Sequence, residues 1–234
     1  MEKRIFFILT GIILSLACSS QVSNGEIKLL QQLDSVQKTS SVARYFAAIY
    51  FETTIKAVDF FDKSDSSVRR FIERLESGFA GYFFRSAETF AKGEAVPAVW
   101  QTYFSGKSFT PLQYQLLGIN AHINGDIWQA MTNEFSLREL RDNKRCYFDF
   151  NRGLVKEYRE VYTAGVRASA TISTLHNASL GLDKLYGKMI LKRWRKRQMQ
   201  LAILYFTDHE KFSKKLAILQ QKMQHLNRMI STHL

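Results

Sequence analysis

Two prolines in 234 residues constrain this chain more than any motif does. Proline ends helices because it lacks a backbone donor and clashes with the preceding turn. One of the two, Pro111, follows a threonine, where a helix can begin rather than end. Glycine is sparse as well, at 12. Apolar residues recur at helical spacing through most of the length, and no segment alternates as a half-buried strand would. The expected fold is all-α: a single-domain multi-helix bundle with a buried central helix. At 46% hydrophobic, with 18 phenylalanines and 10 tyrosines, the chain has the material for a core filled with large rings. There is no internal repeat or long low-complexity linker, and the polar stretch Asn133–Arg145 is the one place a domain boundary could fall.

Ser40 or Ser41 can cap a helix reaching about Phe61, with Phe46, Ile49, Tyr50 and Ala57 along one side. Asp62–Ser66 reads as a loop and a new cap. A helix follows with Phe71, Ile72, Leu75, Phe79 and Phe83 inward, and Gly93 stops it. Thr110-Pro111 opens the central helix, Ser136 a short one, and Tyr147–Ala170 a long one. Leu180–Phe206 is long and basic. Thr207-Asp208-His209-Glu210 fits a capping box for a last helix with Phe212, Leu219, Met223 and Ile230 on its apolar stripe.

The first residues have the pattern of an export signal. Lys3 and Arg4 precede an apolar run, Ile5–Ala17, which is shorter than the roughly 20 residues of a membrane span. Leu14-Ser15-Leu16-Ala17-Cys18 resembles a bacterial lipobox, which makes Cys18 the expected lipidation site; ordinary signal-peptidase cleavage near Ser20 is the alternative. The organisation expected is 1–20 signal peptide, 21–38 tether and first short helix, and 39–234 helical domain. The place expected is the cell envelope, lipid-anchored, or otherwise the periplasm or outside as a soluble protein. Cys146 would then be the single internal cysteine, which leaves no intrachain disulfide.

The central helix carries the chemistry. Within Leu116–Met131 the polar residues Asn120, His122, Asn124, Asp126 and Gln129 interrupt an otherwise apolar segment. His122 and Asp126 are four residues apart, so a helix puts them on one face. A buried polar group without a partner costs about 1–3 kcal/mol, so the pair needs a hydrogen-bond network, a ligand or a metal ion. Gly118 and Gly125 flank the histidine. Glycine inside a helix is less favourable than alanine by about 0.8–1.0 kcal/mol, which points to close approach of another element.

Asn120-Ala121-His122-Ile123-Asn124-Gly125-Asp126, preceded by Leu116-Leu117-Gly118, resembles the core of an uncharacterised bacterial family marked by an Asn-Ala-His-Ile-Asn-x-Asp segment. Pro97-Ala98-Val99-Trp100, Asp149-Phe150-Asn151 and the helix bearing Trp194 agree more loosely. That resemblance implies no particular activity. More distantly, His122-Ile123-Asn124-Gly125-Asp126-Ile127-Trp128-Gln129 is similar to the His-x-x-Gly-Asp-x-x-Gln helix of the zinc-dependent phospholipase C and S1/P1 nuclease group. This second resemblance implies that His122 and Asp126 bind zinc or another divalent metal in a phosphoesterase-type hydrolase. For a single metal ion, Glu52, Asp59, Asp149 or His176 are the candidates for further ligands. After Gln129 the chain departs from that group, with Ala130-Met131-Thr132 in place of Pro-Leu/Met-His. The short supply of other histidines favours a structural or ligand-binding role for the pair. No catalytic residue is assigned, and whether the chain is an enzyme is left open.

The formal net charge is +12. Lys188, Lys192, Arg193, Arg195, Lys196 and Arg197 crowd one helix and form a candidate patch for an anionic membrane surface or a phosphate-containing ligand, ahead of nucleic acid. The bland reading of the same residues is a solvated helix face.

Overall fold

The computed structural model describes residues 24–61, 65–106, 108–155 and 182–233. The elements are α1 Asn24–Thr39, α2 Arg44–Phe61, α3 Ser66–Ala91, a 3-10 turn Ala98–Trp100, α4 Gln101–Ser105, α5 Pro111–Asn120, a π-helical segment Ala121–Asp126, α6 Ile127–Glu134, α7 Leu137–Asp142, α8 over 144–155, α9 Leu182–Thr207 and α10 His209–His233. Among the described residues there is no strand. The chain forms one all-helical bundle, as its periodicity predicts.

Local chemistry explains the helix ends. Thr110 makes a full capping box with Gln113, and Pro111 occupies the first turn. Ser136 and Glu139 make a second box. Gly93 has φ 72°, a left-handed conformation that favours glycine and closes α3. The start of α10 differs from expectation: Asp208, not Thr207, caps it, accepting from the Lys211 amide at 2.9 Å. Ser40 Oγ accepts from the Ala43 amide at the turn before α2.

Helix α1, in the stretch where a first short helix is expected, packs on the bundle: Leu29, Leu30 and Leu33 are buried, and α2 is its main neighbour. Asn133–Arg145 is not a boundary. Phe135 and Leu140 within it are buried in one core cluster with Phe71, Leu75 and Phe79 of α3, and Arg74 of α3 reaches across to Glu139 at 3.0 Å and to the Glu134 carbonyl. Of the expected helix Tyr147–Ala170, only the part up to 155 lies within the described residues.

The continuous rod α5–π–α6 runs through the middle. Helices α2 and α10 pack on its first part, and α3 and α9 on its second. Both flanking glycines are contact points. A β-carbon at Gly118 would fall 2.5 Å from the Phe46 ring, and one at Gly125 would fall 2.9 Å from Val99 Cβ. The close approach at Gly118 seats α2 on the rod, and that at Gly125 seats the 3-10 turn.

Candidate functional site

The six residues Ala121–Asp126 are all buried, and they form a π turn rather than an α turn. Its i→i+5 bonding widens the helix locally, a distortion that recurs at functional sites. The polar residues of the central helix divide into two sets around it.

The first set binds the bundle together. Asn120 donates to the Met223 carbonyl at 3.1 Å and to Asn227 Oδ1 at 2.8 Å, both on α10. Asn124 donates to Asn120 Oδ1, and Asn227 donates onward to Thr102. Gln129 donates to the Gly125 carbonyl one turn back. These three residues, expected as part of a binding site, spend their amides on architecture.

The second set is His122 and Asp126, with side chains 4% and 1% exposed. Nδ1 of His122 lies 3.1 Å from Asp126 Oδ2, and the same oxygen accepts from Trp100 Nε1 at 3.0 Å. Trp100 is fully buried and is placed by the 3-10 turn that Gly125 admits. The imidazole stacks on Phe79, with ring centres 3.4 Å apart and 12° between planes, and it meets Phe46 and Tyr50 at 5.2 and 4.6 Å. Two groups of the pair have no hydrogen-bond partner: His122 Nε2 and Asp126 Oδ1. Burial holds the imidazole well below its ordinary pKa, and Arg195 pushes the same way, so the ring is neutral. Burial also raises the Asp126 carboxyl well above the usual carboxylate range, opposed by the Trp100 hydrogen bond and by Arg85.

His122 also forms part of the wall of a cavity of about 270 Å³ between α2, α3, the central rod and α9. The lining is mainly apolar, including Ile119, Ile123, Leu191 and Trp194. Polar side chains join it as well: Tyr50, Thr53, Thr54, Glu76 and Arg195. The Tyr50 hydroxyl is buried without a partner. Burial raises its pKa well above the ordinary phenol value, with Glu76 and Asp126 adding to the effect and Arg195 opposing it. Glu76 is raised from 4.5 to about 6 by burial, with Arg195 opposing. Arg195 donates to Asn151 Oδ1 at 2.6 Å.

Sequence reading did not identify Tyr50, Glu76 or Trp100 as site residues, and it put Arg195 in a surface patch. The signal was present for two of them. Glu76 lies four residues after Ile72 and three before Phe79, on the buried side of α3. Arg195 lies four after Leu191 and four before Met199, on the buried side of α9. Lys192, Arg193 and Lys196 are exposed and Arg197 is half-buried, so the basic helix shows only part of its charge as a surface patch. The side chain of Lys188, and all of Cys18, lie outside the described residues.

The metal arrangement implied by the phospholipase C likeness does not fit this centre. Among the described residues, no group of three or more His, Cys, Asp or Glu side chains comes together to hold a metal ion. Asp126 Oδ2, the oxygen facing the histidine, is already taken up by Trp100. Glu52 is exposed, and Asp149 is paired with Arg145 and Arg152 on the surface. The Asp59 side chain and His176 lie outside the described residues.

Fold and site together define a helical bundle with a histidine–aspartate pair behind a mostly apolar cavity. Residues 27–233 match a family of unknown function, DUF5995, and the chain belongs to that family. No curated protein and no solved structure matches it. The family membership agrees with the first resemblance read from Asn120–Asp126, and the match lends no support to the second.

Proposed function

We propose that this chain is an exported, lipid-anchored helical protein that binds a small apolar molecule in the cavity beside His122. The observation that carries the binding reading is the unpartnered Nε2 of a buried histidine in the wall of a cavity of about 270 Å³. Ligand sites are mainly apolar concavities with a few converging polar groups, and His122, Tyr50, Glu76 and Arg195 are such groups on an apolar background. A neutral imidazole fixed by packing on Phe79 is a positioned contact for a ligand rather than a surface charge.

The test is binding of naphthalene derivatives, followed by thermal stabilisation and by the fluorescence of Trp194 in the cavity wall. Saturable binding to the wild type that is lost in Ala57→Phe is the expected result, because Ala57 lines the cavity and a phenyl ring there has that space to fill. Absence of any binding up to the solubility limit would remove the proposal.

Export rests on the pattern Lys3-Arg4, Ile5–Ala17 and Cys18. Palmitate incorporation that disappears in Cys18→Ala is the expected outcome, and secretion without label would leave the soluble alternative. The exposed cations Lys192, Arg193 and Lys196 would then face an anionic lipid surface. A metal-dependent phosphoesterase is the weaker reading, since it draws on the His122–Gln129 spacing alone. Metal-dependent phosphodiester cleavage lost in both His122→Ala and Asp126→Ala would restore it.

A further inference from the structure

The hydrogen bonds behind His122 determine what kind of polar group an occupant of the cavity must bring. Asp126 Oδ2 accepts from Trp100 and lies 3.1 Å from His122 Nδ1. Because Oδ2 already accepts the indole N–H, it is the acceptor oxygen of the carboxyl group, so Nδ1 carries the ring proton and donates to it. A neutral imidazole has one N–H, so Nε2 is a bare acceptor. The ring cannot rotate to find a donor, because Phe79 stacks flat on it and Phe46 and Tyr50 crowd it.

The charges in the wall offset one another. Glu76 and Arg195 both line the cavity and carry opposite signs, and Arg195 is further held by Asn151. A charged ligand meets no uncompensated partner there. The Tyr50 hydroxyl is buried beside His122 and is also unpartnered.

We infer that the occupant is an uncharged molecule with an apolar body and a hydroxyl group, an alcohol or a phenol, whose O–H donates to His122 Nε2 and whose oxygen accepts from the Tyr50 hydroxyl. This rests on the cavity-binding reading and narrows its ligand class.

Three probes with one apolar body separate the two levels: 2-naphthol, 2-methoxynaphthalene and 2-naphthoate, titrated calorimetrically into the purified full chain at pH 7.5. The naphthol should bind at least about tenfold tighter than the ether, since it satisfies an acceptor that the ether leaves bare, and tighter than the carboxylate. In His122→Phe the naphthol and the ether should bind alike, and in Tyr50→Phe the naphthol should lose a smaller factor. The ¹⁵N shifts of the His122 ring in the wild type give a check independent of how any variant folds: Nδ1 protonated and Nε2 bare. Equal binding of naphthol and ether, tightest binding of the carboxylate, or a proton on Nε2 overturns the hydroxyl inference and leaves the cavity reading standing. Failure of all three probes to bind overturns both.

Discussion

Two pairs of polar side chains, Asn120–Asn124 and His122–Asp126, have the same four-residue spacing on the same buried stretch of helix, yet they meet opposite fates. Asn120 and Asn124 face α10 and chain through Asn227 to Thr102, leaving one oxygen, Asn124 Oδ1, without a partner. Asp126 accepts the one indole donor, and the His122–Asp126 pair keeps a nitrogen and an oxygen unmatched. An unsatisfied group at the wall of an open cavity is maintained against stability, as happens where a ligand completes the set. The first pair holds the fold together, and the second, on the proposed reading, serves what enters the cavity.

Four measurements test that contrast, in order of expected effect. Trp100→Ala removes a fully buried ring packed on Phe46 and Phe83 and strips Asp126 of its indole donor. It should destabilise by about 3–5 kcal/mol, a fall in Tm of roughly 6–20 °C by calorimetry. Asn120→Ala should lose about 1–3 kcal/mol in urea unfolding, because it deserts the Met223 carbonyl, Asn227 and Asn124 together.

A third effect comes from Glu76, whose folded pKa is raised from 4.5 to about 6. A raised carboxyl binds its proton more tightly in the folded state. Stability should therefore be greatest below pH 4.5 and fall as pH rises to just above 6, by at most about 2 kcal/mol from this group. Melting curves across that window should show the drop in the wild type and a flatter profile in Glu76→Gln.

The smallest effect separates the pairs most sharply. His122→Phe removes an unmatched polar atom and keeps a ring on Phe79. Its stability should stay within about 1 kcal/mol of wild type, well short of the Asn120→Ala loss, while hydroxyl-selective binding disappears. A loss as large as that of Asn120→Ala would put both pairs in the same structural role and end the distinction.

Much of the fold was legible because its signals are local. Thr110-Pro111 and Ser136 to Glu139 cap helices through side chains three residues from the amides they serve, and Gly93 provides the φ that only glycine adopts readily. The site was half legible. His122 and Asp126 stand out as polar residues in an apolar helix, and the hydrogen bond between them follows from their spacing. Nothing local distinguishes them from Asn120 and Asn124. Glu76 and Arg195 read as ordinary surface charges unless their helices' buried stripes are traced, and Trp100 reads as core.

The sequence by itself determined the all-helical bundle, the ends of its helices and the inward pair on the central rod, because those depend on spacing, capping and backbone restrictions within a few residues. Tertiary structure decided which polar groups would be satisfied. That depends on what three other helices and a short turn bring to the rod: Asn227 to one pair, Trp100 to the other, and a cavity with Glu76 and Arg195 in its wall. Hydrogen bonding between residues far apart in the chain is a matter of packing geometry, and no window along the sequence contains it.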